Sequence, residues 1–257
     1  MSTNKKYWTL SPEGNEVLRD LIEEHKNFNH QTYTSGECDG NNFMYYEMFA
    51  MDLYDSNGCD YERYGCYIKE GDVVVDLGGN IGLFADRAEQ RGASQVYTFE
   101  PITPTFNCLI KNKGPKTNVY KLAVGSKNEF KKFKIHTDYT HIGGGTSDDT
   151  NSVIGDRNII HEEIVYTIGI NELFNELIGK IDFMKVDIEG GEVEVLNSIT
   201  DQNLSTLRCL ACEFHKTYDE FDIFQKEFGD RMGRLGFRSF TLYHGDGNLR
   251  TVNFWKE

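Results

Sequence analysis

Proline is scarce in this 257-residue chain, with only Pro12, Pro101, Pro104 and Pro115. No Pro/Ser-rich stretch divides the sequence, so a linker between two independent halves is not expected, although domains of about 100–200 residues would leave room for two. Positive charge is also short: 27 Lys and Arg stand against 41 Asp and Glu, a net charge of −14. Binding to a nucleic-acid backbone rests on Lys and Arg replacing counterions, and no basic stripe is present. The same deficit disfavours an anionic membrane surface. No run approaches the roughly 18–20 apolar residues that span a bilayer. The opening Met-Ser-Thr-Asn-Lys-Lys-Tyr-Trp leads into no apolar segment, so no secretory signal is read there and a cytoplasmic location is expected. Six cysteines are then free thiols by default. Cys209 and Cys212 match C-x-x-C, but they sit in a strand-like run, where positions i and i+3 face opposite ways.

What is present is an alternation of short apolar runs with amphipathic segments from Gly71 onward. Asp72–Asp76, Gln95–Phe99, Asn118–Val124, Ile181–Val186 and Leu207–Phe214 read as strands. Helices are expected over Leu83–Gln90, after Pro104, over about 191–199 and over about 218–235. Phe237–Tyr243 and Thr251–Trp255 flank a Gly-Asp-Gly turn and read as a terminal hairpin. This order implies an α/β fold: a mostly parallel sheet with one antiparallel strand and helices on both faces. One domain over 1–257 is expected, with a helical, aromatic-rich extension at 1–69, a core at 70–257 and an insertion at 125–169. That insertion carries Lys127–Lys134, a Gly143-Gly-Gly tip and the strand-like Glu163–Ile168; its length suggests a lid over an acceptor site. The lysines there read most simply as a solvated face.

The strongest chemical signal is Val75-Asp-Leu-Gly-Gly-Asn-Ile-Gly82, a strand, a glycine turn and a helix start. Ligands of open α/β sheets bind beyond the carboxyl ends of the strands, where glycine lets the backbone come close. The next strand ends in Glu100, placed to accept both hydroxyls of a ribose. The dinucleotide pattern G-x-G-x-x-G fails at Asn80 and Leu83, and no G-x-x-x-x-G-K-[ST] phosphate loop exists. Asp76 ahead of Gly78, Asn80 and Gly82 would repel a pyrophosphate but suits a cationic cofactor. S-Adenosylmethionine, with its sulfonium and ammonium groups, meets that requirement.

Five segments together resemble the FkbM family of S-adenosylmethionine-dependent methyltransferases. They are Gly71–Gly82, Phe99-Glu-Pro101, Ala123-Val-Gly125, Ile181-Asp-Phe-Met-Lys-Val-Asp-Ile-Glu-Gly190 and Glu213-Phe-His215. The resemblance covers roughly residues 60–215. It implies a seven-stranded Rossmann-like methyltransferase sheet in the order 3-2-1-4-5-7-6, and O-methylation of a hydroxyl on a carbohydrate or related small metabolite. Gly79 stands where the family usually has Ala. A methyltransferase-like fold that binds cofactor or glycan without turnover is the alternative.

With strands four and five adjacent, alternation carries Lys185, Asp187 and Glu189 to the same edge as Glu213 and His215. Two chemistries are open. His215 can act as general base, with Asp187 and Glu189 orienting the acceptor and Lys185 pairing them. Or Asp187, Glu189 and His215 can hold a divalent metal that acidifies the hydroxyl. The expected partner is a small molecule or glycan, not nucleic acid or membrane.

Overall fold

The computed structural model describes residues 65–136, 145–147, 159–215, 218–244 and 249–257. The N-terminal helix and most of the aromatic-rich extension expected from the sequence, the Gly143 tip and the Gly245–Asn248 turn lie outside the described residues.

Strand β1 (Val73–Leu77) is a β-branched run closed by Gly78 and Gly79, and it lies at the centre of the molecule. It is followed by α1 (Leu83–Gln90), β2 (Gln95–Phe99), α2 (Thr103–Asn112) and β3 (Thr117–Tyr120). After the insertion come β8 (Phe183–Val186), the helices α4 (Glu192–Ser198) and α5 (Asp201–Thr206), β9 (Cys209–Phe214), α6 (Tyr218–Arg234), β10 (Arg238–His244) and β11 (Leu249–Trp255). These strands form one seven-stranded sheet in the order β10-β11-β9-β8-β1-β2-β3, and β11 alone runs antiparallel to its neighbours. In the sequential numbering of those seven strands this is 3-2-1-4-5-7-6, as the resemblance implied. The short α5, capped by Thr200 accepting from the Asn203 N–H at 3.2 Å, is an addition to the elements read from sequence.

Alternation along the strands sorts the core onto two faces. Val75, Leu77, Met184, Val186, Leu210, Cys212 and Phe214 pack with Val195 and Leu196 of α4 and Phe221 and Phe228 of α6. Val74, Phe183, Cys209 and Ala211 pack on the other side with Phe84, Ala85 and Ala88 of α1. Cys209 and Cys212 therefore lie on opposite faces, and both are free and buried. No helix among the described residues is long and apolar enough to cross a membrane.

The run expected as one third strand, Asn118–Val124, is two strands in two sheets. β3 ends at Tyr120, whose carbonyl accepts from the Glu100 N–H at 3.1 Å. The chain then leaves the main sheet, and β4 (Ala123–Gly125) pairs instead with β7 (Ile159–Gly169). With β5 (Glu129–His136) and β6 (Gly145–Ser147), these make a second sheet in the order β4-β7-β5-β6. A helical segment, α3 (Ile170–Glu172, running on as a π-helix over Leu173–Ile178), returns the chain to the main sheet.

The second sheet has its own small core of Ile102, Ala123, Phe133, Ile135 and Val165. Its position follows from its anchors. Thr103, in the first turn of α2, donates its N–H to both carboxylate oxygens of Glu163 (3.3 and 3.2 Å) and its hydroxyl to one of them at 2.5 Å. Lys121 pairs with the same carboxylate at 3.5 Å. On the other side, Ser126 and Lys131 both reach Glu194 of α4. Since α2 and α4 each begin at the carboxyl edge of the main sheet, the second sheet bridges that edge. Its described part is tethered on both sides, while the Gly143 tip of the expected lid lies outside the described residues. The insertion's lysines pair with its acids: Lys127 and Lys131 with Glu129 (3.2 and 3.3 Å), and Lys132 with Glu162 (3.4 Å).

Glu163 serves as a helix cap donated by another element, and cap removal typically costs about 0.5–2 kcal/mol. Glu163→Ala is expected to lower the urea-unfolding free energy by about that amount and to speed amide exchange in the first turn of α2. Unchanged exchange there would show that the second sheet is not anchored through this carboxylate.

Candidate active site

The site grows from one row of the main sheet. Thr98, Asp76, Lys185 and Ala211 are register partners across β2, β1, β8 and β9. Ala211 is small, and Lys185 is buried almost completely over the Phe84 ring, 5.7 Å from its centroid. Asp76 is fully buried and accepts from the Thr98 hydroxyl at 2.8 Å. The Lys185 ammonium lies 3.2 Å from Asp76 Oδ1 and 3.3 Å from Asp187 Oδ2, and donates to the Gly78 carbonyl at 2.9 Å. Burial works to lower the Lys185 pKa, but Asp76 and Asp187 outweigh it and hold the ammonium charged. Burial also pushes the Asp76 carboxyl up, against the opposing pull of Lys185 and Thr98. Asp76, expected at the cofactor, and Lys185, expected among the catalytic residues, are thus both turned inside the sheet. Their part is to hold the glycine turn from beneath, because neither has a face open to a ligand.

The turn itself is clamped from two sides. The N–H groups of Gly78 and Gly79 both donate to the Phe99 carbonyl, at 3.0 and 2.9 Å. Gly78 has φ +83°, and a Cβ there would lie 1.7 Å from the Asp187 carbonyl oxygen. Only glycine fits. Asn80 follows with φ +47°, and its N–H donates to Glu100 Oε2 at 2.9 Å. Gly82, at φ +101°, precedes α1.

Glu100 is buried at the end of β2, and burial pushes its pKa up to about 7 despite the donors around it. Its Oε1 accepts from the Ile102 N–H at 2.9 Å and the Thr105 hydroxyl at 2.8 Å. A carboxylate oxygen has about two acceptor sites, so among the described residues Oε1 is filled and Oε2 keeps one.

Beyond Leu77 and Val186, the carboxyl edge gathers the charged groups. Asp187 donates its N–H to the Leu77 carbonyl at 3.1 Å, which fixes it at the β1–β8 seam. Glu189 has φ +56°, a left-handed conformation between β8 and α4 that is costly for a residue with a side chain. His215 Nε2 lies 3.9 Å from Asp187 Oδ1 and 3.6 Å from Glu189 Oε2. Its Nδ1 is 3.1 Å from Glu192 Oε1, which also accepts from the Gly190 and Ile188 N–H groups at 2.8 and 3.3 Å. The cluster expected from strand parity, Asp187, Glu189 and His215, is therefore assembled. Glu192 was missed; its signal was a carboxylate three residues after Glu189 at a helix start, where it can fold back on the turn. Burial lowers the His215 pKa, but Glu189, Glu192 and Glu213 prevail and raise it well above the usual imidazole value. That charge suits His215 poorly to the general-base role first considered for it. Asp187 and Glu189, with side chains 22% and 24% exposed, are the members that reach the surface of the edge. Asp187, Glu213 and His215 each present a potential ligand atom within 4.8 Å of the others.

A parallel sheet in this order, with a glycine turn after the first strand and an acid ending the second, defines a Rossmann-like methyltransferase fold. Residues 76–239 match the methyltransferase FkbM domain, and the chain belongs to that family. It is 25% identical over 225 residues to the 31-O-demethyl-FK506 methyltransferase FkbM of Streptomyces tacrolimicus, covering 77% of this chain and 84% of that one. To the hexuronic acid methyltransferase AglP of Haloferax volcanii it is 28% identical over 162 residues, 60% of this chain and 61% of the other. It is also 23% identical over 210 residues to the AMB antimetabolite synthetase AmbE of Pseudomonas aeruginosa, 69% of this chain but a tenth of that much longer protein. A crystal structure of the methyltransferase FkbM from Methylobacillus flagellatus superposes with a TM-score of 0.49 at 14% identity, covering 95% of this chain and 60% of that one.

Removing one partner of a buried ion pair typically costs about 3–5 kcal/mol, because the other charge is left without compensation. Lys185→Met is expected to destabilise the chain by that order in chemical denaturation, and Asp76→Asn added to it should recover part of the loss. A Lys185→Met loss below about 1 kcal/mol would mean that the turn stands without its ammonium.

Proposed function

We propose that this chain is an S-adenosylmethionine-dependent O-methyltransferase whose acceptor is a hydroxyl of a carbohydrate or related small metabolite. The observation that carries this reading is the meeting of Asp187, Glu189 and His215 at the carboxyl edge, beside the glycine turn and Glu100. The donor set fits the cofactor. Glu100 Oε2 has an acceptor site for one ribose hydroxyl, and the edge presents the Asp187 and Glu189 carboxylates, which suit a sulfonium. The names of two relatives, a hexuronic acid methyltransferase and a 31-O-demethyl-FK506 methyltransferase, support oxygenated acceptors. Buried free thiols are in keeping with a reducing cytoplasmic setting.

S-Adenosylmethionine supplies the methyl group, activated as a sulfonium. The residues of the chain do the rest. Glu100 and the glycine turn position the cofactor, and the second sheet walls the edge against water. Asp187 and Glu189 would orient the acceptor hydroxyl and take up the proton it loses, while the bound cofactor would give its methyl group to that oxygen and keep the electron pair of the broken bond on sulfur. His215, held charged by Glu189 and by Glu192 behind it, faces the two carboxylates.

The test supplies the chain with methyl-¹³C-labelled cofactor and a panel of sugars, uronic acids and hydroxylated secondary metabolites, and follows the methyl group by NMR. Label on oxygen is expected, with Asp187→Ala/Glu189→Ala slower by about 10²–10⁴-fold. Glu100→Gln should weaken cofactor binding by roughly 10–150-fold, the worth of a charge-assisted hydrogen bond. Because the ionised carboxylate is the better acceptor, wild-type affinity should rise with pH through about 7, and that rise should vanish in Glu100→Gln. Tight cofactor binding with no transfer to any hydroxyl would favour the turnover-free alternative.

A further inference from the structure

The turn between β8 and α4 has an uncommon backbone, and one buried carboxylate accounts for its shape. Glu189 and Gly190 stand in succession at φ +56° and +112°. A left-handed glycine is ordinary, but a left-handed glutamate persists only where its surroundings hold it. Glu192, the fully buried first residue of α4, supplies that hold. Its Oε1 accepts from the Gly190 N–H at 2.8 Å and the Ile188 N–H at 3.3 Å, so the peptides on both sides of Glu189 are tied to one oxygen. The same oxygen lies 3.1 Å from His215 Nδ1. Across the ring, His215 Nε2 faces Glu189 Oε2 at 3.6 Å and Asp187 Oδ1 at 3.9 Å. We propose that Glu192 is a positioning residue that fixes Glu189 at the edge along two routes, through the backbone of the turn and through the His215 ring. Its effect on rate rests on the methyl-transfer reading above; its hold on turn and ring does not.

An acid in a first helical turn usually sits at the surface and gains from the helix dipole. Glu192 differs in being buried and in drawing its donors from two separate segments, the turn and the end of β9. Its Oε2 has no hydrogen-bond partner among the described residues, so turn and ring meet on Oε1 alone. Charged and titratable groups face the ring from each described element around it. Asp187 and Glu189 come from the turn after β8, Glu192 from α4 and Glu213 from β9. Cys212 stays a neutral thiol nearby, pushed well up by burial and by Glu192, Asp187 and Glu213. Lys185 is engaged with Asp76 and Asp187. Burial works to lower the His215 pKa, but Glu189, Glu192 and Glu213 raise it, so the ring keeps both protons. Removing the Glu192 charge therefore has a definite sign: the ring must lose its second proton at a lower pH.

The two routes can be disturbed separately. Glu192→Gln keeps an oxygen for the Ile188 and Gly190 N–H groups and removes the charge that faces His215. Gly190→Ala does the converse. A Cβ at Gly190 meets nothing within 4 Å, yet its backbone conformation is one that L side chains rarely adopt. That substitution strains the turn without a clash and leaves the Glu192–His215 contact in place.

The experiment follows the His215 ring by NMR in the full chain labelled with ¹⁵N-histidine, and S-adenosylhomocysteine binding by calorimetry. In the wild type both ring nitrogens should stay protonated through neutral pH. In Glu192→Gln the titration should move to lower pH while S-adenosylhomocysteine affinity is nearly unchanged. With an acceptor and saturating cofactor, Glu192→Gln should slow transfer by up to about 10²-fold, the usual loss when reacting groups are misplaced. That loss should shrink as pH falls through the new midpoint and the ring regains its charge. Gly190→Ala should also slow transfer, with the ring titration unmoved and no relief at lower pH. A wild-type His215 that titrates in the ordinary imidazole range overturns the proposal without any variant, should Glu192→Gln fail to fold. So does a folded Glu192→Gln with an unmoved titration, or with a loss of transfer that is the same at every pH. If the wild type methylates no acceptor, the methyltransferase reading fails, and the two ring titrations still decide whether Glu192 holds His215.

Discussion

One buried ammonium holds the functional edge of this protein together. Lys185 draws Asp76, the Gly78 carbonyl and Asp187 to a single point, and so joins β1, the glycine turn and the end of β8. Each of those attachments has a geometric consequence. The turn is drawn down until a Cβ at Gly78 would strike the Asp187 carbonyl, and Asn80 is thereby set to donate to Glu100. Asp187 is held by its backbone at Leu77 and by its side chain at Lys185, which leaves its other oxygen toward His215. Burying three charges is expensive unless they pair, and the Thr98 hydroxyl supplies the remaining polar contact to Asp76.

Around that point the protein separates two electrostatic tasks by depth. Below the edge, positive and negative groups cancel at Asp76 and Lys185, and the result is rigidity. At the edge, Asp187, Glu189 and Glu192 converge on a charged His215, and the result is a surface of ionisable groups rather than apolar ones. The second sheet closes over this region because its anchors, Glu163 to Thr103 and Glu194 to Ser126 and Lys131, lie at the starts of two helices on the edge.

Much of this was legible in the sequence where a local rule governs. Val73–Leu77 reads as a buried strand because β-branched residues fill it, and Leu83–Gln90 reads as the helix after the glycines. Parity set Asp187 on the side of Lys185 and His215 on that of Glu213, whereas Glu189 reaches the cluster through a left-handed turn beyond the end of β8. What escaped depended on long-range contacts. Asn118–Val124 has a continuous strand pattern, yet its second half pairs with Thr167–Gly169, more than 40 residues on, which no local window contains. Asp76 and Lys185 have the composition of ligand-binding groups, and only their register partnership shows that they face each other inside the sheet. Glu192 joins the cluster only because the fold brings the end of β9, with His215, against the start of α4. The charge on His215 likewise depends on carboxylates from three different segments.

The central claim is that the Asp187–Glu189–His215 edge faces the sulfonium of S-adenosylmethionine. It is tested most directly by comparing that cofactor with S-adenosylhomocysteine, which has the same adenosine and amino-acid parts but a neutral sulfur. Calorimetric affinities for both ligands would be measured with the wild-type chain and with Asp187→Asn. The account predicts that Asp187→Asn weakens S-adenosylmethionine selectively, by several-fold or more, and leaves S-adenosylhomocysteine nearly unchanged. Equal losses for both ligands, or none for either, would contradict it.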